Sequence, residues 1–213
     1  MPNRDLASIR NQYQRAALEW HNLDTNPLIA LQHWINDAID AKLYEPTAMT
    51  VATSDHQQQT HARVVLLKGL DHGLVFYTNY NSPKGHELNE NTRAACTFFW
   101  PELERQIRIE GIVSKTTETE SDQYFTSRPR DSQLAACASR QGQIIDSREA
   151  LEQDFAQLVA DFADKPIPRP ENWGGYRLEP QLLEFWQGRP NRLHDRLRFR
   201  LQDNNWQRER LSP

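Results

Sequence analysis

The chain has 213 residues, 25% of them charged and 38% hydrophobic, with a formal net charge of -4 and a pI near 6.0. That is enough chain to bury a core, and the charge balance speaks against a dedicated nucleic-acid binder. The longest aliphatic run, Val64 to Leu67, is far short of a membrane span, MPNRDLASIR lacks the apolar core of a signal peptide, and Cys96 and Cys137 suit neither a disulfide framework nor a metal knuckle, so a cytoplasmic protein with no metal and no membrane partner is expected.

Residues from about Asp5 to Trp20 read as a polar helix. Pro27 opens a second, amphipathic helix carrying Leu28, Leu31, Trp34, Ile35, Ile39 and Leu43, with the proline in the first turn, where it is tolerated. From Ala48 the pattern changes to short β-rich runs, MTVAT, ARVVLLKG, GLVFYTN, AACTFFW and RQIRIEGIVSKT, separated by polar or glycine-containing turns. This predicts a meandering antiparallel sheet or barrel. Helices interrupt it at Ser82 to Asn91, around Ser121 to Ser127 and from Ser147 to Ala163, the last with a stripe of Leu151, Phe155, Leu158, Val159 and Phe162. A proline-rich loop, KPIPRPENWGG, leads to the last strands, about Tyr176 to Gln187, Leu193 to Gln202 and Trp206 to Arg210. The expectation is one domain, mainly β with peripheral helices.

Several cations stand where a ligand could use them. In ARVVLLKG the four central residues are aliphatic, which predicts burial of both strand faces, and Arg63 and Lys68 bracket them. Five residues at about 3.3 Å each place the two cations about 17 Å apart on opposite faces, too far for one phosphate. Either both are strand-end residues reaching to water, or they serve two anions or two parts of a long ligand. Ser82, Pro83 and Lys84 make a capped helix start with a lysine beside its free N–H groups, an anion site or merely a cap. In YFTSRPRDSQ, Tyr124 and Arg128 share a helical face, Pro129 ends that helix, and Asp131 or Ser132 is placed to cap the next. The grouping suits a phosphate, or a surface ion-pair cluster with Asp122 or Asp131.

The stretch EFWQGRPNRLHDR adds a fourth such place. Read as a strand from Arg192, one face carries Arg192, His194, Arg196, Arg198 and Arg200, and the other Leu193, Leu197, Phe199 and Leu201. A hairpin through GRPN would bring the Trp186 indole close to Arg192 and His194, as a lined pocket or as one end of a solvated polar face.

Together EFWQGRPNRLHDR, RVVLLK, FYTN, LERQIR, YFTSRPRDSQ, WGGYR and the terminal RLSP resemble, in order from Arg10 to Pro213, the pyridoxamine 5'-phosphate oxidase family of flavin enzymes. The resemblance implies an FMN-binding split β-barrel acting as a homodimer, with two identical sites built from both subunits and residues 1–20 as a helical lid. FMN would accept a hydride from C4' of pyridoxine 5'-phosphate or pyridoxamine 5'-phosphate, and O2 would reoxidise it, giving H2O2 and pyridoxal 5'-phosphate.

Carried onto this sequence, the family's FMN contacts fall on Arg63, Val64, Val65, Leu66, Leu67 and Lys68, on Tyr77, Thr78, Lys84, Gln106, Gln141 and Gly142, and on Trp186 and Arg196. The substrate phosphate falls to Lys68, Tyr124, Arg128 and Ser132, so that Arg63 would face the flavin phosphate and Lys68 the substrate phosphate. Arg192 and His194 would flank the substrate ring as catalytic residues, and Arg10 and Tyr13 would close over it. Three departures stand out: Pro83 where relatives often carry a second basic residue, Gly142 where they carry a hydroxyl, and Asn11 and Gln12 in place of charges. The rival readings are a split-barrel flavoprotein with another substrate, such as a flavin reductase, and a non-enzymatic binder of nucleic acid or of pyridoxal phosphate. A second phosphate set counts against the former, and the acidic charge and the flavin contacts count against the latter.

Overall fold

The computed structural model describes residues 5–8 and 12–213. Helix α1 (Pro27–Asp40) begins as expected: the Asn26 side chain accepts from the Leu28 N–H at 3.0 Å, with Pro27 in the first turn. Its buried stripe is Ala30, Leu31, Trp34, Ile35 and Ala38, while Leu28 is half-buried, Ile39 exposed and Leu43 beyond the helix end. The strands are β1 (Ala48–Ser54), β2 (Thr60–Leu66), β3 (Gly69–Leu70), β4 (Leu74–Asn79), β5 (Arg93–Trp100), β6 (Arg105–Lys115), β7 (Trp173–Gln187), β8 (Asp195–Gln202) and β9 (Asn205–Leu211). Four more helices, α2 (Pro83–Glu90), α3 (Glu118–Ser127), α4 (Arg130–Ala138) and α5 (Arg148–Phe162), lie between them.

The strands hydrogen-bond in the order β2-β1-β5-β6-β7-β4-β3, with β8 on β7 and β9 on β8. The path has two ends among the described residues and does not close on itself, as in a split barrel, and the class is the mainly β one with added helices that the sequence points to. Period-two burial explains the central strands: Ala94, Cys96, Phe98 and Trp100 point inward from β5, and Ile107, Ile109 and Val113 from β6.

The chain divides into two compact units: the first takes the described residues up to Thr47 with Thr97–Ile109 and Gln181–Pro213, the second Ala48–Cys96 and Glu110–Pro180. The first unit is held by aromatic edges, Trp34 on Phe185 at 5.1 Å and Phe185 on Phe199 at 5.9 Å. In the second, Phe125, Leu134, Ile167 and Trp173 form a cluster against which Phe155, Leu158 and Phe162 of α5 pack half-buried.

Three local expectations are corrected. The helix over Asp5 to Trp20 does not form in its described part, which has only 3-10 turns at Leu6–Ser8 and Trp20–Asn22. Backbone groups that a helix would pair internally are taken by distant partners: the Gln14 and Arg15 N–H groups donate to Glu104 Oε2 (2.9 and 2.8 Å) and the Leu18 N–H to Asp195 Oδ2 (3.0 Å). The segment also has no apolar stripe that could stabilise a helix by packing. Strand β2 is not buried on both faces, since it ends the strand path and Val64 is 65% exposed. Strand β8 starts at Asp195, so Arg192 and His194 lie in the connection before it, where Pro190, with no N–H to offer a ladder, opens a 3-10 turn.

Candidate active site

The second unit contains a cavity of about 730 Å³, a size that suits a cofactor or small ligand. Arg63, Val64, Val65, Leu66 and Lys68 from β2 and its exit, Tyr77 and Thr78 from β4, and Lys84 from α2 line one part of it. Tyr124 and Arg128 from the end of α3, with Gln141 and Gly142 from the loop after α4, line another. Leu67, which is buried, and Ser132, half-buried in the first turn of α4, are not in its wall. Helix α4 already begins at Arg130 after Pro129, so Asp131 and Ser132 lie inside it and do not cap it.

One corner is built on Lys84, only 8% exposed. Its Nζ donates to Thr78 Oγ1 (3.0 Å), Gln141 Oε1 (3.0 Å) and Ser82 Oγ (3.3 Å), all neutral oxygens. Burial pushes this ammonium down to about 8, the Arg63 charge pushes the same way, and Glu87 opposes both. Ser82 caps α2 through the Gly85 N–H (3.3 Å), with Pro83 in the first turn, as the sequence predicts. Gly142 has φ of +85°, and a Cβ there would lie 2.4 Å from Pro83 Cδ. Two of the three departures, Pro83 and Gly142, therefore touch each other: the ring of Pro83 fills the space that a side chain at position 142 would need.

The other part of the wall is aromatic. Tyr77 stacks on Tyr124 with centroids 3.9 Å apart and planes at 15°, and on Trp173 at 5.5 Å and 13°. The Arg128 guanidinium lies over the Trp173 ring at 4.7 Å and near Phe125 at 5.9 Å. Asp122 does not pair with it, being held by Arg169 at 2.6 Å. Arg128 Nη1 is buried with no hydrogen-bond partner among the described residues, and burial lowers the guanidinium below its ordinary range. A buried charged donor without an acceptor costs free energy, a cost that an anion at this nitrogen would relieve. Lys68, exposed, lines the same cavity.

In the first unit, Tyr13, Trp186 and His194 come together: ring centroids are 5.6 Å for Tyr13–Trp186, 5.6 Å for Tyr13–His194 and 4.7 Å for Trp186–His194. A Cβ on Gly188 would stand 2.7 Å from Tyr13 Cγ, so the glycine makes room for that ring. Trp186 is directly opposite Arg196 in the β7–β8 ladder. Arg196 Nε donates to buried Glu184 at 2.7 Å and Nη1 to the Ser212 carbonyl at 2.9 Å. Arg192 is exposed and has φ of 62°, directly after Asn191 at 57°, two left-handed residues in succession that store backbone strain in the connection. His194 is pushed below its ordinary pKa by burial and then by the Arg192 charge. Its Nδ1 accepts the Arg189 N–H at 3.1 Å, which leaves the neutral ring's proton on Nε2. Gln106 is half-buried on β6, and Arg10 lies outside the described residues.

Sequence reasoning missed four residues that hold these groups in place: Trp173 under Arg128, Glu87 beside Arg63, Glu184 on Arg196 and Arg189 behind His194. WGGYR, EFWQGR and the helix from Ser82 to Asn91 drew attention to their stretches, and the hairpin foretold that Trp186 meets His194, but nothing there joins these four residues to their partners. The even face beyond the motif resolves as ion pairs, with Arg198 2.6 Å and Arg200 3.7 Å from Glu209.

The family model of pyridoxamine 5'-phosphate oxidase matches residues 35–160, and that of the pyridoxine 5'-phosphate oxidase C-terminal dimerisation region matches residues 173–213. The chain is 51% identical to a pyridoxine/pyridoxamine 5'-phosphate oxidase of Cyanothece sp. over 209 residues, 98% of each chain. It is 50% identical to the protein of the same name from Rubrobacter xylanophilus over 211 residues, 99% of this chain and 97% of the relative. Among solved structures it is similar to PhzG from Burkholderia lata in complex with tetrahydrophenazine-1-carboxylic acid, at 32% identity and a TM-score of 0.89, covering 95% of this chain and 100% of the other. A pyridoxamine 5'-phosphate oxidase-related, FMN binding protein from Nostoc punctiforme shares the fold at 15% identity and a TM-score of 0.71, covering 88% and 98%.

Proposed function

The chain belongs to the pyridoxamine 5'-phosphate oxidase family, and from that premise we propose that it oxidises pyridoxamine 5'-phosphate and pyridoxine 5'-phosphate to pyridoxal 5'-phosphate in the cytoplasm, as an FMN-bearing homodimer. FMN would accept the hydride leaving C4' and pass the electrons to O2, giving H2O2 and, from the amine substrate and water, ammonia. The residues suit it: the Lys84 ammonium meets the hydroxyls of Thr78 and Ser82 and the amide oxygen of Gln141, with no carboxylate on it among the described residues, and Arg63 lines the same cavity.

The observation that carries the reading is Arg128, whose buried Nη1 lacks an acceptor among the described residues although its guanidinium lies over the Trp173 ring. With Lys68 and Tyr124 it would bind the substrate phosphate, while Lys84, Arg63, Thr78 and Gln141 would bind that of the cofactor, leaving Val64 to Leu66, Tyr77, Gln106 and Gly142 to frame the flavin; Leu67 and Ser132, outside the cavity wall, would support these contacts from behind it. Trp186 and Arg196 would complete the cofactor contacts. Arg192 would fix the substituent on C4', and neutral His194, with its proton on Nε2, would orient the substrate without acting as a strong base. Tyr13, against Trp186 and His194, and Arg10 would cover the substrate as a lid and exclude water.

Peroxide release with each phosphorylated vitamer, measured beside its unphosphorylated form, tests this. The phosphorylated forms are expected to turn over and the unphosphorylated ones to lose most of kcat/KM. Activity indifferent to the phosphate would overturn the reading, and so would purified protein that takes up no FMN at micromolar concentration.

A further inference from the structure

Glu87 is a carboxylate only 5% exposed, one helical turn beyond Lys84 on α2 and in contact with Arg63, which lines the cavity. By charge alone it opposes a phosphate there, so its presence calls for another reason. Its Oε2 accepts from Arg63 Nη2 at 3.0 Å and from the Thr53 hydroxyl, and its Oε1 stands 3.0 Å from His61 Nδ1. Arg63 Nη1 in turn donates to Thr53 Oγ1 and approaches the Val51 carbonyl at 3.4 Å. Both ends of the guanidinium fork are thereby fixed. Strand β2 ends the strand path, where an arginine would otherwise reach for water.

We infer that Glu87 is a positioning residue that holds the Arg63 guanidinium at the cavity wall beside Lys84, so that a phosphate meets two pre-oriented cations. This rests on the reading that the FMN phosphate binds at this corner. A long cationic side chain loses much rotamer freedom when it binds, and an arginine already fixed has less left to lose. Glu87 also counters the effect of Arg63 on Lys84 and so favours the lysine's charged form.

The test is the ratio of FMN to riboflavin affinity in the full-length apoprotein, read by flavin fluorescence quenching. Riboflavin lacks only the phosphate, so a general loss of structure weakens both ligands, whereas loss of a positioned phosphate contact weakens only FMN. Wild type is expected to prefer FMN. Glu87→Ala should lower that preference about tenfold with riboflavin affinity unchanged, the scale of one well-oriented charged hydrogen bond. Glu87→Gln, whose amide oxygen can still accept from Arg63, should keep it, and Glu87→Ala should add nothing further in an Arg63→Ala background. A Glu87→Ala protein whose preference is unchanged or raised overturns the inference, as does one that loses both ligands equally or a Glu87→Gln protein that falls as far as the alanine variant. Wild type with no preference for FMN would instead remove the phosphate site itself.

Discussion

Lys84 bears a charge in a place that makes charge costly. Its folded pKa of about 8 lies below the ordinary 10.5, so between these values the unfolded chain binds more protons than the folded one. The apoprotein therefore gains stability from this group as pH rises through that window, and the full cost of the buried ammonium is present below it. A phosphate at the same place works in the opposite direction, restoring the charge and taking up a proton. FMN affinity is thus expected to fall above about pH 8, by up to tenfold per unit, and calorimetry in buffers of different ionisation enthalpy should register proton uptake near pH 8 that a Lys84→Met protein lacks. Much at this scale was legible in the chain: Lys84 beside a helix start and Arg128 sharing a face with Tyr124 both follow from local spacing. Arg189, to which the sequence assigns no role, was not legible, because its part is played by a backbone N–H on His194 and by a guanidinium 3.3 Å from Asp195.

At the scale of elements, period and punctuation located nearly every strand and helix, and the failures share a cause. The segment after the N-terminus and strand β2 are governed by their neighbours: one spends its N–H groups on Glu104 and Asp195, and the other takes the end of the strand path. The start of α2 shows the same dependence, since Pro83 and Gly142 are far apart in the chain yet compete for one space. Gly142→Ala combines a left-handed backbone with an impossible contact, and is expected to weaken FMN binding about tenfold. Adding Pro83→Ala should recover part of that loss, because it removes the contact and leaves the backbone strain. Strictly additive affinities in this double-mutant cycle would contradict the packing described.

For the whole molecule, residues 173–213 match a dimerisation region, and within them Leu193 and Leu201 are exposed in the single chain. Sedimentation should find a dimer at micromolar concentration, and dilution that dissociates it should release FMN in parallel, as sites built from both subunits would require. A monomer with full FMN occupancy would refute that arrangement. Composition, periodicity and short motifs were sufficient for the class of fold and the order of its elements, because those depend on local geometry carried in contiguous stretches. Which cation has a partner and which does not emerged only from folding: Arg63 is tied to Glu87, Arg196 to Glu184, and Arg128 to an aromatic face that leaves one nitrogen without an acceptor. Burial and pairing are properties of neighbours brought from distant parts of the chain, and no spacing within one stretch records them.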